Sequence, residues 1–228
     1  MSDRGPEPLD ARVAAYVSNS YPHNLDFRVV RGALKPCWKL RRRFGRLRKL
    51  YAEPHDELLD LSSSKGFFVL EAAQQAQCQR TLGIDVHAPD LHASQAVARH
   101  LGLDKATFEP LLASQLAERI DEFGGPFRTV LLLNTYQYLY FGSERSEDHT
   151  PDHSELFRRL ARVTAERLIF SNRVEFERLP RHIQRRAREA GLERGYDEGA
   201  IRAAADEFFT IEPERPLGRI PLWVLRRR

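Results

Sequence analysis

Apolar positions change their spacing repeatedly along the chain, and each change marks a new element. Leu58-Leu59-Asp60-Leu61 is a short apolar run of the buried-strand kind. From Phe67 the spacing turns helical, with Phe67, Phe68, Leu70 and Ala73 on one packed face. Thr81 to Val86 predicts a second strand, and Lys105 to Leu112 a third, interrupted at Pro110. Between them Leu91, Ala93, Val97 and Leu101 define an amphipathic helix stopped at Gly102, after a turn at His87-Ala88-Pro89-Asp90. Gln115 to Phe123 predicts a helix that Gly124-Gly125-Pro126 ends. Arg128 to Asn134 is apolar almost throughout, as expected of a strand covered on both faces. Glu155–Ala165 reads as a helix, Arg167–Ser171 as a strand, and Arg178–Ala190 and Asp197–Asp206 as helices. Phe208–Glu212 and Ile220–Leu225 read as closing strands. Strands alternating with helices place the chain in the α/β class with a mostly parallel sheet.

The first 54 residues read differently. Residues 1–9 are polar and expected to lack structure; Asp10 caps a short helix from Ala11 to Ser18, and Tyr21-Pro22-His23-Asn24 is a turn. Val30, Leu34, Trp38, Phe44, Leu47 and Tyr51 recur at roughly helical intervals, which predicts one or two helices broken at Pro36. We expect residues 1–54 to form a helical cap over the sheet's carboxyl edge and residues 55–228 to form the main domain.

Composition narrows the setting. The 228 residues are 42% hydrophobic, enough for a sizeable core, and no apolar run approaches the ~18 residues of a membrane span. Met1 to Asp10 is polar and acidic, unlike a secretory leader, and Cys37 and Cys78 have no metal-ligand spacing. A reduced, cytoplasmic setting without a metal or a membrane is the expectation; His87 and His92 are expected at the surface or a site rim. The net charge of +4 hides an asymmetry, because residues 1–51 carry +8 and the rest −4. Lys35 to Lys49 alone holds eight basic residues and no acid, which suits either an anion-binding patch or a solvated helix face.

The chemistry is carried by two stretches. A strand turning through Ser62-Ser63-Ser64-Lys65-Gly66 into a helix brings backbone N–H groups to the strand's carboxyl end, where ligands of open α/β sheets sit. Asp85, near the end of the next strand, lies 19 positions beyond Gly66. That is close to the spacing at which a β-α-β unit offers a carboxylate to ribose hydroxyls. Asn134 ends the long apolar strand, and Tyr136 and Tyr138 follow it with flat surface and a hydroxyl apiece.

Asp60-Leu61-Ser62-Ser63-Ser64-Lys65-Gly66 resembles the first motif of class I S-adenosylmethionine-dependent methyltransferases, with serines at the first two glycine positions, Ser62 and Ser64. Asp85 matches the family's ribose-binding acid, and Arg128–Leu139 resembles its fourth-strand motif. Leu156–Ser171 is similar to the helix and fifth strand that follow, except that Thr164-Ala165-Glu166 replaces a Pro-Gly-Gly turn. The resemblance spans about residues 55 to 225 and implies a three-layer α-β-α Rossmann-like sandwich with a mostly parallel seven-stranded sheet and a C-terminal antiparallel hairpin. It implies S-adenosylmethionine as cofactor, with the backbone of Ser62 to Gly66 at the methionine end, Asp60 ordering the loop, Asp85 on ribose and Val86 beside adenine. Asn134 and Tyr136 would border the methyl group. Tyr138, His149 and His153 are the candidate catalytic positions. The expected acceptor is an O or N atom of a small molecule; tRNA or rRNA is the alternative, resting on Lys35–Lys49 and Arg181–Arg188. A non-catalytic binding protein of the same fold is a third reading, supported by the serine loop. A nicotinamide dehydrogenase is disfavoured because three closely set glycines are absent. The sequence sets no oligomeric state.

Overall fold

A computed structural model describes residues 8–146 and 148–228. The expectation for residues 1–9 therefore falls largely outside the described residues. The chain opens with α1 (Ala11–Asn19), whose N-terminal amides are capped by the Asp10 carboxylate. A hairpin follows, β1 (Phe27–Val30) paired antiparallel with β2 (Ala33–Pro36), and then α2 (Trp38–Leu47). The one or two helices expected between Phe27 and Tyr51 are thus a hairpin and one helix. Arg31 and Gly32 form the hairpin's two-residue turn, both at positive φ (51° and 75°), the geometry that suits the twist of short hairpins.

The main body continues with β3 (Glu57–Asp60), α3 (Phe67–Ala73), β4 (Arg80–Ile84), α4 (Ala88–Leu101), β5 (Ala106–Glu109), α5 (Ala113–Arg119) and β6 (Phe127–Leu133). It ends with α6 (Tyr136–Phe141), α7 (His153–Val163), β7 (Thr164–Ser171), α8 (Arg181–Glu189), α9 (Glu198–Asp206), β8 (Phe209–Leu217) and β9 (Ile220–Arg227). The sheet order is β5-β4-β3-β6-β7-β9-β8; β3 to β7 run parallel, and β9 inserts antiparallel between β7 and β8. Two local differences have simple causes. The expected turn at His87–Asp90 is already helical from Ala88, because Pro89 is tolerated in a first turn. β7 starts at Thr164 directly after α7, with the Thr164 hydroxyl bonded to the Leu160 carbonyl at 2.7 Å, so no separate turn is needed.

Both sheet faces are covered. On one side Leu59, Val130, Leu132, Leu168 and Phe170 pack with α5, α7 and α9 through Leu116, Phe157, Leu160 and Ile201. On the other, Leu58, Leu131 and Ile169 pack with Phe67, Leu91 and Val97. Val17, Phe27, Leu40 and Leu47 of the N-terminal segment belong to this second core, so the segment is part of one packed layer. β3 has neighbours on both sides whose crossovers run in opposite directions, which opens a crevice at its carboxyl end.

Gly66 makes that crevice compact. Its φ is +74°, and a Cβ there would lie 2.6 Å from Ser94 Oγ and 2.7 Å from the Phe108 ring. Gly32 has a similar φ but open space around it. Gly66→Ala is therefore expected to cost about 3 kcal/mol, strain plus overpacking, and Gly32→Ala about 1 kcal/mol, as read by urea denaturation. Equal costs would mean that the α3–α4 contact is looser than described.

Candidate functional site

The loop after β3 is held by its neighbours on every side. Ser63 N–H donates to the Ile84 carbonyl and Ser64 N–H to Asp85 Oδ2, each at 2.9 Å, while Ser62 N–H reaches Asp60 Oδ1 at 3.3 Å. Asp85 Oδ1 accepts from His87 N–H at 2.9 Å. Loop and acid thus meet at one edge of the sheet. Ser64 sits at φ +46°, a left-handed conformation in which glycine is usual. Its hydroxyl is turned toward α4 and donates to Asp90 Oδ2 at 3.2 Å; the other Asp90 oxygen accepts from the Tyr16 hydroxyl at 2.7 Å. Burial, and then Asp90, push the Tyr16 phenol up to about 12. Gly83 on β4 makes room for Ser63, since a Cβ there would lie 2.8 Å from the serine side chain.

Lys65 is the unexpected member of the loop. Its side chain is 0% exposed, and its ammonium donates to the Ser20 carbonyl at 2.6 Å and to the Asp26 carboxylate. Both partners come from the N-terminal segment, which is thus strapped to the loop by a buried ion pair. Asp26→Ala should leave the ammonium buried without its anion and cost about 4 kcal/mol. The pair replacement Lys65→Met with Asp26→Asn should cost clearly less, measured by the same denaturation; the reverse order would mean that Lys65 reaches solvent.

Asp60, at the end of β3, is fully buried. Burial pushes its carboxyl from 3.8 up to about 7, opposed by the Ser62 N–H bond and the Arg43 guanidinium. Because the folded-state value lies above the unfolded one, the folded chain keeps a proton that the unfolded chain has lost. Stability therefore falls as pH rises from about 4 to about 7, and the whole penalty is present above that window. Asp60→Asn keeps an acceptor for Ser62 N–H and removes the titration. Its melting temperature should exceed wild type at about pH 8 and the gap should close by about pH 4.5. A gap independent of pH would show that Asp60 does not titrate in this range.

Across the crevice, Asn134 ends β6 at φ +61°. Its N–H donates to the Ser171 carbonyl at 2.8 Å, its carbonyl accepts from Gln137, and its side-chain oxygen accepts from Arg173. Asn172, which the sequence did not single out, is the splint here: wholly buried, it accepts from Thr135 N–H (2.7 Å) and Tyr136 N–H (2.9 Å) and donates to the Leu132 carbonyl (2.8 Å). Val86 is 42% exposed beside Asp85.

Two expected site residues, buried Tyr136 and half-buried His153, pair with each other beside the core. Tyr136 is fully buried among Phe157, Phe170 and Tyr196, and its hydroxyl meets His153 Nδ1 at 2.7 Å. His153 Nε2 faces the Gly195 carbonyl at 3.0 Å, so Nε2 carries the proton and Nδ1 accepts from Tyr136. Burial holds His153 below the usual imidazole range, hence neutral. The expectation that Tyr136 borders the methyl group and that His153 acts as a base gives way to this packing role, which follows from an aromatic run folding as a helix against the sheet. Tyr138 is half-buried and stacked on His182, with ring centroids 6.3 Å apart. His149 is exposed beside an apolar hollow lined by Leu61, Ala113 and Leu160. Among the described residues no cluster of three or more His, Cys, Asp or Glu could hold a metal, and no helix is long and apolar enough to cross a membrane.

This architecture is the class I methyltransferase fold. The N-terminal domain of EvdMO1, solved with SAH bound, is 19% identical, with 82% of this chain and 80% of that one covered at a TM-score of 0.55. The PH0226 protein from Pyrococcus horikoshii OT3 is 17% identical over 84% of this chain and 92% of that one, at 0.59. Monomeric WbdD is 18% identical over 82% of this chain, at 0.57; the match spans 39% of WbdD, which another of its structures describes as a bifunctional kinase-methyltransferase. The chain matches no protein-family model and no curated protein.

Proposed function

We propose that the chain is an S-adenosylmethionine-dependent methyltransferase acting on an oxygen or nitrogen atom of a small-molecule acceptor. The observation that carries this reading is the meeting of the serine loop and Asp85 at one sheet edge, with an exposed apolar side chain, Val86, next to the acid. Each Asp85 oxygen has one backbone partner and keeps a lone pair for a ribose hydroxyl. Val86 offers the apolar surface that a flat base requires. The loop serines fit as well, because the Ser64 hydroxyl is engaged with Asp90 rather than projecting over the loop. That weakens the support which the serine at position 64 lends to a non-catalytic reading. SAH bound to EvdMO1, which has the same fold, adds to the case.

When bound, the cofactor supplies a methyl carbon made electrophilic by its sulfonium, so that an acceptor lone pair displaces a neutral thioether and the acceptor's proton passes to solvent or a base. The chain's own contribution is alignment. Asp85 would fix the ribose and the Ser62–Gly66 backbone the methionine end, while Asn172 holds the Asn134 turn rigid at the acceptor side. Tyr138 is the first position to substitute in the search for a base.

A small acceptor suits the basic segments better than RNA does, since two arginines of the Arg181–Arg188 segment are engaged within the chain and a third faces a neighbouring acid. Arg186 donates to the Phe141 carbonyl at 2.8 Å, Arg188 lies over the Phe176 ring at 5.4 Å, and Arg185 faces Glu189 at 3.9 Å. Calorimetry with SAH provides the test. Wild type is expected to bind saturably and Asp85→Asn to bind at least ~10-fold more weakly, from the loss of charge-assisted bonds. Equal affinity would take Asp85 out of the ribose site, and no heat with wild type would favour the non-catalytic reading.

A further inference from the structure

A cleft of about 430 Å³ opens between α2, the carboxyl ends of β6 and β7, and the β8–β9 turn. Lys39, Arg42, Arg43, Arg46 and Arg173 line it, and no acidic side chain among the described residues does. Asn134 and Ser171, at the two strand ends, form part of its wall, so it adjoins the edge where the methyl group would be presented. Two of the cations are pinned by neutral oxygens that leave their charge uncancelled. Arg46 donates to the carbonyls of Arg215 and Pro216, and Arg173 donates to the Asn134 side chain. Arg43 is half-buried over the Phe68 ring; Asp60 acts on it electrostatically, but no carboxylate among the described residues lies within 4.0 Å of its guanidinium. Lys39 and Arg42 form no ion pair among the described residues either. Trp38, 56% exposed, stands in the same wall with the Arg42 guanidinium 5.1 Å from its ring centre.

Five cations converging on one cleft, three of them partly buried, repel one another in the free chain, and the arrangement becomes favourable once an anion of matching charge enters. We infer that the cleft is the acceptor's docking site and that it takes a phosphate-bearing small molecule, whose flat or apolar part rests on Trp38. A phosphate monoester carries about −1.5 to −2 charge and three strong acceptor oxygens, enough to engage several forks at once, whereas one carboxylate would satisfy a single arginine. The volume is that of a metabolite site. The inference rests on the methyltransferase reading for the word acceptor; the anion site itself stands on the cleft.

Lys39 and Arg42 are exposed and make no ion pair in the described chain, so their replacement leaves the core intact. The full chain is titrated with inorganic pyrophosphate at about 50 mM salt, where screening is modest. Wild type should bind it saturably, and the double variant Lys39→Glu/Arg42→Glu should bind at least ~10-fold more weakly, by reversal of two charges. SAH affinity, read on the same preparations, should be equal in both. No binding by wild type, or equal binding by the variant, overturns the cleft as an anion site. Malonate binding as tightly as pyrophosphate overturns the choice of phosphate. A short RNA that binds more tightly than pyrophosphate, with affinity falling steeply in salt, overturns the small-molecule form. Loss of SAH binding in wild type with pyrophosphate binding intact overturns the methyltransferase reading and supports the anion site alone.

Discussion

A buried ammonium without an anion is among the least tolerable arrangements a fold can contain, and Lys65 sets that constraint at the centre of this one. In the loop between β3 and α3 the Lys65 side chain is directed inward and is 0% exposed. Its charge is met only if the stretch from Ser20 to Asp26 closes over the loop. The N-terminal segment is therefore held by electrostatics where it crosses the loop after β3, and by apolar packing of Val17, Phe27, Leu40 and Leu47 where it crosses the sheet face. The two anchors differ in their sensitivity: packing degrades by increments when a methylene is lost, whereas the ion pair fails all at once when either member is removed.

The same closure explains how a loop with serines keeps a shape that glycines normally provide. In a glycine loop the backbone is free to adopt left-handed φ and must be immobilised by the ligand. Here the amides of Ser62, Ser63 and Ser64 are already engaged by Asp60, the Ile84 carbonyl and Asp85. The strain at Ser64 is offset locally by the Asp90 contact, which Tyr16 shares from the cap. Each serine thus has a compensating residue: Asp90 for Ser64, and Gly83 for the bulk of Ser63. A loop stiffened in this way loses less entropy on binding than a glycine loop would.

What was legible in the chain follows from which interactions are periodic. Fully covered strands leave apolar runs, so Leu58–Leu61, Thr81–Val86 and Arg128–Asn134 could be read directly, and with them the crevice and Asp85. The β1–β2 hairpin was misread because Val30, Leu34 and Trp38 fall at a spacing of four, which imitates a helix; Val30 and Trp38 are exposed, and Gly32 was the signal to weigh. Tyr136 was misplaced because an aromatic run fits a pocket wall and a core equally well until its neighbours are known. Lys65 and Asn172 left no trace at all. Each acts through a partner far away in sequence or through backbone atoms, and neither kind of contact has a period.

Charge provides the last link between sequence and site. The excess of basic residues before Tyr51 does not belong to the sheet, which supplies the edge common to every chain of this fold. It belongs to a helix that turns Leu40 and Leu47 to the core and spreads its cations over three tasks. Arg48, at the helix's end, bonds Glu71 of α3 and Gln75 just past it, Arg46 fastens the end of β8, and Lys39, Arg42 and Arg43 line the cleft beside Asn134. Where a cation is needed for structure it has found an oxygen. Of the helix cations without such a partner among the described residues, Lys39, Arg42 and Arg43 lie on one wall and Arg41 lies outside it. In a fold whose chemistry is set by the cofactor and whose selectivity is set by what is added around it, that surplus is where this chain departs from a generic methyltransferase frame.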